Sequence, residues 1–197
     1  DNVAITPGAL ALLNGFLDNL LFQFLATAKS TQLSALRPAI ADVLKPRLAK
    51  EVVAAADDEL GEYLAGGDDE DFRGGQGPPA EFDLIRSWKL TRLRCMVYTR
   101  LGDMEEDEED EYIARDGLDE ASGAPRRFGR HAGTVTPAGA IFLTAIIEYL
   151  AEHALAIATE NARNRLVFGR EPTATDALEV PEQLTIEDAD LEKLALN

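Results

Sequence analysis

The sequence predicts an all-α fold, and three observations carry that expectation. Two long apolar segments each open on Thr-Pro. Thr6-Pro7-Gly8 leads into ALALLNGFLDNLLFQFLATA, residues 9–28, and Thr136-Pro137-Ala138 leads into GAIFLTAIIEYLAEHALAIATENARNR, residues 139–165. Alanine and leucine dominate, runs of β-branched residues are few, and aromatic residues make up 7% of the chain. Apolar residues recur at spacings of three or four, at Leu10, Leu13, Leu17, Leu20 and Phe24 and again at Leu143, Ile146, Leu150, Ala154 and Ile157. That is the period of a helix and not of a strand.

Thr6 and Thr136 are expected N-caps, with Pro7 and Pro137 at the first helical position, where a missing N–H costs nothing. Phe16, Leu21, Phe22, Ile141 and Ile147 widen each apolar arc beyond one stripe. A helix so apolar around its circumference is central to a core or spans a membrane. Asn14, Asp18 and Gln23 interrupt the first run and Glu148, Glu152 and His153 the second. Neither run therefore reaches the ~18 uninterrupted apolar residues of a span, and both read as central core helices with no membrane crossing.

Between and after these helices the chain divides in order. Residues 29–32 form a turn, Leu33 to Lys45 a second helix, and Pro46 starts a third that runs to about Leu64. Residues 66–80 are an acidic linker rich in glycine and closed by two prolines. Glu81 to Leu101 reads as a helix with Leu84, Ile85, Trp88, Leu93, Met96 and Val97 as its apolar set. Gly102 to Gly133 is polar and without sustained periodicity, and is expected to be a mostly disordered insertion. Val167 to Ala177 reads as irregular, followed by a short helix near Glu182 to Leu196.

The net charge is −17, from 36 acids and 19 bases, but it is unevenly placed. Asp68 to Asp71 and Asp103 to Glu111 hold twelve of the acids, leaving a framework that is only mildly acidic. A protein that wraps nucleic acid needs a basic stripe, which this distribution lacks. The single cysteine, Cys95, excludes an internal disulfide and fits a reducing compartment. No secretory signal is visible. The chain begins at Asp1 and enters a helix cap almost at once, as expected of a fragment of a longer protein.

Enzymatic chemistry finds little support. The two histidines, His131 and His153, have no nucleophile and orienting acid in motif spacing, and Cys95 sits mid-helix as a small apolar residue would. There is no phosphate loop or metal-ligand spacing, and the acids of 103–111 do not follow the pattern of a calcium loop. No enzyme activity, cofactor or metal is expected.

The order of elements resembles the histone fold, in which a long central helix is flanked by shorter ones. LALLNGFLDNLLFQFLATA, the turn AKSTQLS and LRPAIADVLKPRLAKEVVAAADDELGEYL are similar to the central helix, second loop, third helix and extra C-terminal helix of histone 2B. GAIFLTAIIEYLAEHALAIATENARN and EVPEQLTIEDADLEKL are similar to the central helix and third helix of histone 2A, with WKLTRLRCMVYTRLG as its first helix. The first unit lacks an evident first helix, and no basic N-terminal tail is present. The resemblance implies a 2B-like unit at 1–65 and a 2A-like unit at 81–197, interrupted by the insertion at about 102–133. The two would cross in an intramolecular handshake, with Leu13, Phe16, Leu20 and Phe24 of one long helix and Leu143, Ile147, Leu150 and Ile157 of the other in its core.

The same resemblance implies a nuclear interaction scaffold in a chromatin or transcription-associated assembly. It places Lys29 in one loop and Arg126, Arg127 and Arg130 beside another where histones meet DNA, although three arginines beside eight acids also simply neutralise them. DNA binding is therefore expected to be weak or absent. Glu148 matches one acid of the histone 2A acidic patch, while two further patch positions read His153 and Ala156. An alternative is an acidic histone chaperone. Asp68, Asp69, Glu70 and Asp71 close on Phe72, and Glu108, Glu109, Asp110 and Glu111 close on Tyr112. The acids would attract a histone dimer and the ring would anchor it. A third reading is a docking module in a cytoplasmic signalling protein. If the pairing is intramolecular, the chain should sediment as a monomer at micromolar concentration, and Leu20→Asp should unfold it, because an unpaired buried charge costs several kcal/mol.

Overall fold

The computed structural model describes residues 2–65, 82–99, 104–118, 135–168 and 183–196. These are mostly helical. The described elements are β1 (Ala4–Ile5), α1 (Pro7–Ala28), α2 (Leu33–Val43), α3 (Pro46–Ala65), α4 (Leu84–Tyr98), α5 (Glu106–Arg115), α6 (Pro137–Phe168), β2 (Thr185–Ile186) and α7 (Asp188–Glu192), with a closing 3-10 turn at Lys193–Leu196. Both Thr-Pro starts cap as expected. The Thr6 hydroxyl accepts from Ala9 N at 3.1 Å, and the Thr136 hydroxyl accepts from Gly139 N at 3.1 Å. α1 closes on Lys29, whose N–H donates to the Leu25 carbonyl at 2.8 Å and whose left-handed φ of 50° turns the chain out of the helix. α2 ends two residues before the expected Lys45, because Pro46 drives the residue before it out of helical space. α4 starts at its cap Asp83, which accepts from Arg86 N at 3.0 Å.

The chain packs as two compact units that cut both long helices: residues 2–17 with 150–196, and residues 18–149. Each unit therefore contains helices from both sides of the 66–80 segment.

In the first unit, α1 and α6 meet through small and branched side chains. Ala9, Leu13, Ala154, Ala158, Ile186 and Leu191 form its core. Beside them lies a feature absent from the sequence reading, a parallel strand pair with Ala4 opposite Thr185 and Ile5 opposite Ile186. Its bonds run from Ala4 N to the Leu184 carbonyl at 2.9 Å and from Thr6 N to the Ile186 carbonyl at 3.0 Å. Two residues per strand are too few for an alternating pattern, so periodicity cannot reveal them.

A buried ion pair locks α7 onto α6. Asp190 is fully buried; its carboxylate accepts from Arg165 Nη2 at 3.0 Å and from Glu187 N at 2.9 Å. Arg165 also donates to the Thr185 carbonyl at 2.9 Å, and Asn161 donates to the Asp190 carbonyl at 3.0 Å. One arginine thus holds strand, helix cap and helix together.

In the second unit, Leu20, Leu21, Phe24 and Leu25 of α1, Leu36 and Ile40 of α2, Leu90 of α4 and Phe142, Leu143 and Ile146 of α6 are buried. α3 buries a stripe of Ala49, Val52, Ala56 and Leu60, at the three- and four-residue spacing of one helix face. α4 is tied to α1 by the Trp88 indole N–H donating to the Asp18 carbonyl at 3.0 Å, by Arg92 with the Asp18 carboxylate at 2.9 Å, and by an edge-to-face contact of Trp88 with Phe22. The loop after α1 reaches the start of α6: a Cβ built on Gly139 would stand 3.5 Å from the Thr31 carbonyl.

α1 and α6 are each long and apolar enough to cross a membrane by length and composition alone. One acid within each, however, is engaged by protein. Asp18 takes Arg92 and Glu148 takes the Thr99 hydroxyl at 3.1 Å. Of the expected handshake core, Leu13, Leu20, Phe24, Leu143 and Leu150 are buried, and Ile147 and Ile157 are half-buried. Phe16 departs from the expectation at 44% exposed.

Burial acts to raise the Asp190 carboxyl, but hydrogen bonds from Arg165 and Glu187 N–H and the charges of Arg165 and Lys193 outweigh it and hold it below the ordinary value. A carboxyl lowered in the folded state contributes stability above its unfolded value, near 3.9, and loses that contribution as pH falls through the folded value. Asp190→Asn is expected to lower stability at neutral pH by about 3 kcal/mol. It should also flatten the acid limb of a denaturant-unfolding series, since the variant has no such proton to take up.

Candidate interaction surface

The acidic stretch after α4 is not the disordered insertion expected from its composition. Residues 106–115 form α5, and Met104, Ile113 and Leu118 pack with Leu90 and Leu93 of α4 in one apolar cluster. The helix starts where Glu105 N donates to the Glu108 carboxylate at 3.2 Å, a local cap that acid-rich sequence supplies readily. Arg86 reaches across to donate to the Leu118 carbonyl at 2.9 and 2.7 Å and closes the far end. Charge density argues for disorder only while every acid points to water. Here Glu109 is 3% exposed and pairs with Arg94 at 2.8 Å.

That packing sorts the expected binding residues. Glu109 faces inward and serves the fold. Glu108, Asp110 and Glu111 lie on the exposed side. Tyr112 is 37% exposed, and the Arg115 guanidinium lies over its ring at 4.3 Å. The segment therefore presents a folded acidic ridge with one aromatic, and not a free acidic peptide. Asp68, Asp69, Glu70, Asp71 and Phe72 lie outside the described residues, as do Arg126, Arg127 and Arg130. Lys29 is exposed in the loop after α1.

Burial pushes the Cys95 thiol up to about 11, with Glu148 adding to the rise and the neighbouring Thr144 hydroxyl drawing it partly back. A thiol so raised is a poor nucleophile at neutral pH. His153 is exposed on α6. Among the described residues no three His, Cys, Asp or Glu side chains cluster as a metal site would need.

A second surface lies in the first unit and went unread in the sequence. Leu12, Leu13 and Phe16 of α1 and Leu191 and Leu194 beyond β2 line an apolar depression of about 260 Å³, with Glu192 at its rim. Leu12 is 42% exposed and Phe16 is 44%. The all-round apolar character of α1 is the signal that should have marked it, because one neighbour covers only one side of a helix. The chain matches no protein-family model and no curated protein.

Glu109→Ala should cost about 3 kcal/mol, because it leaves Arg94 unpaired in a mostly buried setting. The loss should be seen as faster hydrogen exchange of the α5 amides. Glu111→Ala, on the exposed face, should change stability by no more than about 0.5 kcal/mol.

Proposed function

We propose that this chain is a non-enzymatic interaction scaffold made of two histone folds, a 2B-like unit followed by a 2A-like unit, paired within one polypeptide in a chromatin or transcription-associated assembly. The observation that supports this best is the parallel pairing of β1 with β2. It joins the segment before the first long helix to the segment before the short helix that follows the second one. Paired histone folds bring their first and second loops together in this way. The approach of the Thr31 carbonyl to Gly139 is the reciprocal relation, between the loop after the first long helix and the start of the second. The interleaving of both sequence halves in each compact unit agrees with a pair that folds as one.

The chaperone reading is weakened at α5, where Glu109 and Ile113 are already engaged by α4. It keeps the exposed acids and Tyr112. Exposed acids alone give an attraction that salt screens beyond about 8 Å at physiological ionic strength, whereas an aromatic anchor resists salt.

Two measurements separate the readings. Proximity labelling from the full-length protein in its own cells should mark chromatin proteins; labelling confined to cytoplasmic signalling proteins would overturn the nuclear scaffold. Titration of a purified core-histone 2A–2B dimer should show only weak, salt-sensitive binding. Binding that survives moderately high salt and is abolished by Phe72→Ala with Tyr112→Ala would establish the chaperone instead.

A further inference from the structure

The matching Thr-Pro caps set α1 and α6 in a common register, in which Thr6 corresponds to Thr136, Leu12 to Phe142 and Phe16 to Ile146. Leu12 and Phe16 are 42% and 44% exposed, whereas Phe142 and Ile146 are 0% exposed. The same stripe of the same kind of helix is therefore open in one unit and closed in the other.

The structure shows what closes it. Arg37 of α2 lies over the Phe142 ring at 5.0 Å and also pairs with Asp57 of α3. Glu51 of α3 accepts from the Tyr149 hydroxyl on α6 at 3.4 Å. Thus α2 flanks the stripe, and α3, a twenty-residue amphipathic helix, bridges α2 to α6. In the first unit Leu191 of α7 and Leu194 of its 3-10 turn flank the corresponding stripe of α1. Nothing among the described residues takes the place of α3, and the apolar depression of Leu12, Phe16, Leu191 and Leu194 is what is left open.

We infer that this depression is the seat of an amphipathic helix donated by a partner protein, laid against α1 and α7 as α3 is laid against α6 and α2. The helix carries small or branched apolar residues at the spacing of Ala49, Val52, Ala56 and Leu60, with arginine or lysine along its flanks. The basic flank follows from charge. The described part of the first unit holds three bases, Arg163, Arg165 and Lys193, against twice as many acids. Arg163 is paired with Glu160 and Arg165 with Glu187 and Asp190, while Glu192 stands at the rim of the seat. An acidic helix would meet like charge there, which penalises wrong partners and slows encounter. Recognition of an apolar helix face in a groove is a common binding mode, read by anchors three and four residues apart. This inference deepens the scaffold reading and rests on it only in treating the chain as a binder.

The test uses the full chain and a designed twenty-residue helical peptide, fluorescently labelled, with apolar residues at that spacing and arginine on its flanks. A second peptide replaces each arginine with glutamate. The arginine peptide should bind saturably by anisotropy. Phe16→Glu, exposed and so expected to leave the fold intact by circular dichroism, should weaken it at least about tenfold, as loss of a central anchor does. The glutamate peptide should bind much more weakly, and Ile85→Glu, an exposed apolar position on α4, should change nothing. Absence of binding, or equal binding by the Phe16→Glu variant, would overturn the seat. So would a wild-type dimer that Phe16→Glu dissociates, which would make a second copy the occupant. Footprinting that finds Leu12 and Phe16 already shielded in the free monomer would assign the seat to the chain's own residues and equally overturn the inference. Peptide binding retained alongside cytoplasmic labelling would remove the chromatin setting and leave the seat standing.

Discussion

The structure depends on covering two helices that are apolar around most of their circumference. α1 and α6 each carry large apolar side chains on more than one stripe, and burying one such side chain is worth about 1.5–3 kcal/mol. A single neighbour shields one stripe. Full cover therefore takes several elements per helix, drawn from distant parts of the chain. That need places α4 against the second half of α1, lets α3 hydrogen-bond to α6 through Glu51 and Tyr149, and leaves α7 to close on the first half of α1. One acid within each helix is then paired by a covering element, Asp18 by Arg92 and Glu148 by Thr99.

The same requirement gives the acids two different roles. The net charge of −17 describes a surface only in part. Asp190 and Glu109 are buried, and each is held by an arginine from a neighbouring helix, Arg165 and Arg94. These pairs fix the angle and depth at which α7 and α5 dock. A bare apolar contact would tolerate sliding, whereas a buried carboxylate without its arginine is strongly penalised. An acid on the exposed side of α5, such as Glu111, faces solvent and contributes to long-range attraction. Where cover is incomplete, at Leu12 and Phe16, the core of the first unit comes to the surface.

Much of the helical layout was legible because it is written in local terms. Thr caps, Pro at the first helical turn and the breaker at Pro46 act within a few residues of themselves, and the structure places α1, α2, α3 and α6 close to where those signals put them. α5 was misread because its ten residues carry one apolar anchor, Ile113, amid acids, and its stability comes from Arg94 and the α4 cluster. Phe16 was misread because helical spacing says which residues share a face, and not whether anything lies opposite that face. The acidic ridge was legible as composition, but its division into inward Glu109 and outward neighbours was not.

The sequence by itself determined that this protein is mostly helical, where its long helices begin, and that its apolar content demands a shared core. Local sterics, backbone hydrogen bonding and 3.6-residue periodicity decide those matters without reference to the rest of the chain. Only the tertiary structure decided that Ala4 and Ile5 pair with Thr185 and Ile186, that Arg165 joins Asp190, and that α1 keeps one apolar face open. The first two join residues 25 to about 180 positions apart, and the third depends on which of the described elements lie opposite α1. Contact at such separation is set by how the helices pack, which no local pattern encodes.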